Sequence, residues 1–98
     1  MIPSPFTRAA LDPRRRKILF RAWHRGMREV DLLLGPFADA SLAGMSEAEL
    51  DEFEALMEAL DRDVFAWLIG ETAVPEGFDT GVLRRVQAFH RHQGPVHG

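Results

Sequence analysis

The sequence predicts an all-α fold, a small compact bundle of five short helices. Apolar residues recur at three- and four-residue spacing almost throughout, and no stretch alternates like a strand. Cap and stop residues then cut this helical pattern into short segments. At 98 residues, with 46% hydrophobic and 28% charged residues, the chain suffices for one domain with a modest core.

Each element has its own local signals. Asp12 is placed to cap a first helix with Pro13 at its first position, where a missing N–H costs nothing. Ile18, Leu19, Ala22 and Trp23 form its apolar stripe, and Gly26 is read as the left-handed residue that ends it. A second helix carries Met27, Val30, Leu33, Leu34 and Phe37; Gly35-Pro36 must kink or restart it. Ser46 to Glu49, "SEAE", is a capping box that opens the third helix, with Leu50, Phe53, Leu56, Met57 and Leu60 on its inner face. "DRDVFAWLIG" reads as a fourth helix capped by Asp61 or Asp63 and stopped by Gly70. After the loop "ETAVPEG", a fifth helix starts near Thr80 with Val82, Leu83, Val86 and Phe89 on one side.

The expected helices are 13–25, 27–40, 46–59, 62–69 and 80–91. Residues 1–12 are read as a flexible N-terminal segment, 13–91 as the helical domain and 92–98 as a flexible tail. Trp23, Leu33, Phe37, Phe53, Leu56, Leu60, Leu68, Leu83 and Val86 are expected to be largely buried.

Composition excludes several chemistries. With no Cys there is no disulfide, thiolate nucleophile or cysteine-ligated metal, and Tyr is absent too. The glycines form no phosphate-cradling pattern, and no serine has a nucleophile-elbow context. Of the four histidines, His90, His92 and His97 are read as part of a solvated tail and His24 stands alone. No apolar run reaches the ~20 residues of a membrane span, and "MIPSPFTRAALDP" lacks a secretory pattern, so the expected location is the bacterial cytoplasm.

Charge is distributed unevenly although the net value is only −3. Eight of twelve basic residues lie between Arg8 and Arg28, and eight of fifteen acidic ones between Ser46 and Asp63. Such blocks either present opposite fields to a partner or face each other within the fold; the second is the simpler arrangement. The run Arg14–Lys17 has no interleaved aromatics of the kind that single-stranded nucleic acid stacks upon. Glu47, Asp51, Glu54 and Glu58 are read as a solvated face of the third helix.

The run Trp23–Asp31, "WHRGMREVD", is where a function is legible. Glycine among charges marks a chain reversal or a place of close approach. As an elbow, Gly26 turns the chain, Arg25 pairs with Glu29, and Glu29 suits the start of the next helix. That leaves Arg28 unexplained, because a cation in a first helical turn opposes the dipole. As a contact site, Arg25, Arg28 and Glu29 surround a side-chain-free position onto which another backbone fits. On the residues alone both readings stand.

At these residues the sequence resembles the succinate dehydrogenase assembly factors that promote covalent flavin attachment in bacteria and mitochondria. Arg25, Gly26, Met27, Arg28 and Glu29 match the family's Arg-Gly-x-x-Glu elbow, and Asp31 its following aspartate. The likeness extends through the acidic third helix to "DRDVFAWL", with Trp67, and covers about Arg14 to Arg91. Arg28 looks like the bacterial version of the motif; His24 and Phe65 depart from residues frequent in the family.

The resemblance implies a small helical protein that is not an enzyme and has no cofactor of its own, since FAD belongs to the client. The implied client is the flavoprotein subunit of succinate dehydrogenase and, in some bacteria, that of fumarate reductase. Implied partner-binding residues are Arg25, Gly26, Met27, Arg28, Glu29, Asp31 and Trp67. Neither nucleic acid nor membrane insertion is implied, and the free protein is expected to be a monomer. Alternative readings are an antitoxin-like protein with another client and an RNA-binding module using Arg14–Lys17 and Arg21.

Overall fold

The computed structural model describes residues 11–93, in which five α-helices and two short 3₁₀ turns follow one another. Helix α1 spans Pro13–Trp23, α2 Arg28–Ser41, α3 Glu47–Met57, α4 Asp61–Leu68 and α5 Gly81–Gln93. No strand occurs among the described residues. The expected flexible ends fall mostly on residues 1–10 and 94–98, outside the described residues. Leu11 and Asp12, which the sequence reading placed in the N-terminal segment, belong to the packed body: Leu11 is buried and Asp12 caps α1.

Local chemistry explains most boundaries. The Asp12 carboxylate accepts the Arg15 N–H, with Pro13 at the first helical position. At α3 both halves of the capping box form, Ser46 Oγ accepting from Glu49 N–H and Glu49 Oε1 from Ser46 N–H. Helix α4 ends in a Schellman motif: Gly70, at φ +80°, donates to the Trp67 carbonyl, and Glu71 N–H donates to that of Ala66. Thr80 Oγ1 accepts from Leu83 N–H at the start of α5, and Glu52 reaches over from α3 to accept from Val82 N–H.

Three expectations about these ends are corrected. Gly70 is the one positive-φ glycine among the described residues, so Gly26 is not left-handed and α1 stops at Trp23. Leu60, rather than Asp61 or Asp63, occupies the N-cap of α4, without a side-chain cap. Of the two alternatives at Gly35-Pro36, a kink or a restart, the restart is overturned: α2 runs through both residues to Ser41.

Helix α2 is the centre of the bundle, in contact with α1, α4 and α5, while α3 packs on α1 and α5. Phe37 of α2 meets Phe53 and Phe89 edge to face, with ring centroids 5.7 and 5.8 Å apart. Pro36 removes the hydrogen bond to the Leu32 carbonyl, which lies on the exposed side of α2 where water can replace it. The next carbonyl, Leu33, accepts from His90 Nε2 at 2.6 Å. His90 is therefore a packed residue of α5, not part of a solvated tail. Trp23, Phe37, Phe53, Leu56, Leu83 and Val86 are buried as expected, and Leu33 and Leu68 are partly buried. Leu60 is 60% exposed, because it lies in the turn after α3 has ended.

The basic and acidic blocks face each other. Arg14 of α1 donates to Glu47, Asp51 and Glu54 of α3 at 2.6–2.7 Å, and Arg21 pairs with Glu58 at 2.9 Å. Arg15 donates through Nε to the Leu42 carbonyl and through Nη2 to that of Met45, tying α1 to the α2–α3 connection. The face of α3 read as merely solvated is thus paired with α1.

Trp23 lies directly against the backbone of α2. A Cβ added at Gly35 would stand 2.5 Å from Trp23 Cε2 and 2.6 Å from Cε3, inside van der Waals contact. Gly35→Ala is therefore expected to lower stability by about 1–3 kcal/mol despite alanine's better helix propensity. Gly44→Ala, whose methyl would enter open space, should leave the thermal midpoint almost unchanged.

Asp39 gives a prediction of opposite sign. Burial raises its carboxyl above the usual range, and the Trp23 indole N–H only partly offsets this. Neither Trp23 Nε1 nor Asp39 Oδ1 has a hydrogen bond of normal geometry. The folded chain thus binds this proton more tightly than the unfolded one, so the ionised carboxylate destabilises the fold above its raised pKa. Asp39→Asn should raise the thermal midpoint at neutral pH. The gap should close as the pH falls through the raised pKa, as melting curves across that range will show.

Candidate functional site: the α1–α2 elbow

The elbow joining α1 to α2 is built by two aspartates. Asp31, one turn into α2, accepts the Arg25 backbone N–H at 2.6 Å. Asp61, at the first position of α4, accepts from Arg25 Nε through Oδ1 at 2.9 Å and from Gly26 N–H through Oδ2 at 2.8 Å. Both Arg25 and Asp61 are largely withdrawn from solvent, their side chains 12% and 20% exposed. Arg25 thus pairs with Asp61 and not, as the plain elbow reading had it, with Glu29.

This geometry gives Gly26 a steric reason. A Cβ there would stand 3.1 Å from Asp61 Oδ2, tighter than side chains normally pack. The close approach that a glycine among charges signals is made by the protein's own carboxylate. Gly26 nevertheless remains exposed on its other side.

The remaining motif residues divide by exposure. Met27 is the partly buried N-cap of α2. Arg28 and Glu29, in the first turn, are exposed, and among the described residues neither has a hydrogen-bond or ion-pair partner. Glu29 and Asp31 suit the positive end of the α2 dipole, whereas Arg28 opposes it. A solvent-open hollow of about 530 Å³ lies over this surface, lined by Trp23, His24, Arg25, Gly26, Arg28, Asp31 and Leu32. His24 stacks on Phe20, with centroids 4.0 Å apart, and its Nδ1 donates to the Phe20 carbonyl. Trp67 is buried, packed on Phe78 at 4.9 Å between centroids.

Sequence reasoning missed Asp61 as the clamp of the elbow, and Leu32 and Phe20 as exposed apolar neighbours, 41% and 60% accessible. The signal for Asp61 was present in "DRDVFAWL", but a carboxylate before a helix reads first as its cap. The four arginines of α1 and its end other than Arg16 are committed within the fold, which leaves Arg16 and Lys17 as the cations there without a side-chain partner among the described residues. The nucleic-acid reading of Arg14–Lys17 and Arg21 loses most of its charge. Among the described residues there is no group of three or more potential metal ligands and no helix long and apolar enough to cross a membrane.

The two classes of elbow residue separate in stability. Asp61→Ala leaves Arg25 and the Gly26 N–H without their acceptor and should cost about 2 kcal/mol in urea unfolding. Arg28→Ala and Glu29→Ala, which break no hydrogen bond or ion pair among the described residues, should each stay within about 0.5 kcal/mol of the parent.

Comparison with known proteins places this geometry in context. Residues 16–90 match the family model described as flavinator of succinate dehydrogenase. The chain is 41% identical over 76 residues to the FAD assembly factor SdhE of Acetobacter pasteurianus, covering 78% of this chain and 70% of that protein. It is 39% identical over 77 residues to the mitochondrial succinate dehydrogenase assembly factor 2 of Dictyostelium discoideum, covering 79% of this chain and 55% of that one. The corresponding protein of Candida glabrata is 33% identical over 88 residues, 86% of this chain and 58% of its own. The chain thus spans between about half and 70% of the length of these curated relatives. With its matched segment running from α1 through most of α5, the chain belongs to the family of succinate dehydrogenase flavinators.

Proposed function

We propose that this protein is an assembly factor that binds the flavoprotein subunit of succinate dehydrogenase and promotes covalent attachment of FAD to it. Fumarate reductase, whose flavoprotein has the same cofactor chemistry, is proposed as a second client. The observation that carries the reading is the division of labour at the elbow. Arg25, Asp31 and Asp61 lock the turn, while Arg28 and Glu29 stand exposed on the first turn of α2 with no partner among the described residues. A cation held against the helix dipole with no partner among the described residues is poorly explained by folding and well explained by a contact.

In this reading the protein acts as a template, without enzymatic activity and without FAD of its own. Bond formation is chemistry of the isoalloxazine and of the client's own histidine. The factor binds preferentially to the client conformation in which these two are aligned, and its effect is bounded by its differential affinity for that state. It works as a monomer in the bacterial cytoplasm.

The test pairs folding with flavinylation. Arg28→Ala, Glu29→Ala and Gly26→Arg are introduced into cells lacking the native factor, and covalent FAD on the succinate dehydrogenase flavoprotein is read by in-gel fluorescence. Arg28→Ala and Glu29→Ala should melt like the parent yet leave flavinylation clearly reduced. Gly26→Arg places a long side chain on the contact face and against Asp61, so it should lower both signals. Full flavinylation by folded Arg28→Ala and Glu29→Ala proteins would refute the contact site.

A further inference from the structure

We infer, resting on the client-binding reading above, that Leu60 and Arg62 form a second half of the contact surface, which receives an extended acidic segment of the flavoprotein crossing Gly26. The segment sets an apolar side chain against Leu60 and carboxylates toward Arg28 and Arg62.

Leu60 is the first reason. It occupies the N-cap of α4, where short polar residues stabilise a helix, and makes no cap hydrogen bond. It is also 60% exposed, so it contributes little to the core. A leucine that breaks the local preference without a packing gain is what a binding surface requires, not what folding selects.

The second reason is continuity. Leu60 and Arg62, with Gly26, Met27 and Asp61, line a surface hollow of about 410 Å³. Gly26 also lines the charged hollow over the elbow, so the two meet at a position with no side chain. An extended backbone passes over a glycine where any other residue would lift it away.

Charge supplies the third. The Asp61 carboxylate between the hollows is occupied by Arg25 and the Gly26 N–H. Arg28 and Arg62 are exposed on either side, and among the described residues neither has a hydrogen-bond or ion-pair partner. Asp31 and Asp61 are occupied, and the exposed Glu29 and Asp63 line neither hollow. The path across the two hollows therefore reads as cation, glycine, apolar residue, cation, which complements an acidic strand carrying one apolar side chain.

Substitution at Leu60 separates binding from folding, because the two respond with opposite signs. Leu60→Ser supplies the missing cap hydroxyl, so its thermal midpoint should equal or exceed the parent's. Its affinity for the purified succinate dehydrogenase flavoprotein lacking covalent FAD, measured by titration calorimetry, should fall about tenfold. Leu60→Met should bind within about threefold of the parent, and Arg62→Glu should slow association and flatten its salt dependence. If the parent binds and Gly26→Arg does not, but Leu60→Ser and Arg62→Glu bind like the parent, this inference is overturned while the elbow reading survives. A parent protein that does not bind the flavoprotein overturns both. A concentration-dependent dimer dissolved by Leu60→Ser, with client affinity unchanged, would assign the face to self-association and overturn the inference as well.

Discussion

The Asp61 carboxylate ties the two ends of the site together. One oxygen takes the Arg25 guanidinium and the other the Gly26 amide, so the corner between α1 and α2 is anchored to the first turn of α4. The amide bond requires the backbone of residue 26 to come within 2.8 Å of a carboxylate, which leaves almost no room for a Cβ. Arginine suits the other oxygen because its side chain reaches across while also lying 3.4 Å from the Ala59 carbonyl. With Asp31 holding the Arg25 amide from α2, three helices determine one turn. In the proposed role as a template, rigidity there matters because a fixed shape is what favours one client conformation over another.

The same economy governs charge. A chain of formal charge −3 carries a strongly basic first helix and a strongly acidic third one, and packing α1 on α3 pairs Arg14 and Arg21 with acidic residues of α3 and its end. Individual exposed pairs of this kind contribute little, but Arg14 with three carboxylates sets the register between the helices. What survives this pairing is informative. Arg28 and Glu29 at the elbow and Arg62 beside it are exposed and, like Arg16 and Lys17 of α1, have no side-chain hydrogen-bond or ion-pair partner among the described residues. The contact proposed at the elbow draws on charges that folding leaves over.

Helix α2 shows how local cost is absorbed by tertiary contacts. Glycine and proline in a helix interior are each unfavourable. Gly35 is retained because the Trp23 ring occupies the space of its side chain. Pro36 is tolerated because the carbonyl it orphans faces solvent, and the adjacent Leu33 carbonyl is served by His90 from α5. Both devices lie in the helix whose first turn displays Arg28 and Glu29, so the packing that holds α2 also aims the site.

The sequence by itself determined the five helices, because their signals are local. Caps at Asp12 and Ser46, the stop at Gly70 and the stripes of Ile18 to Trp23 and Leu50 to Met57 act within a few residues. It also located the elbow, since Arg25 to Asp31 is a contiguous motif. Tertiary structure alone decided what each elbow residue does. That Asp61 leaves the cap of α4 to Leu60 and clamps Gly26 depends on a contact across 35 positions, which no periodicity encodes. Periodicity likewise assigned Leu60 to the core, although α3 ends before reaching it. The identity of a partner residue is a property of how helices pack, whereas the existence of each helix is mostly a property of its own sequence.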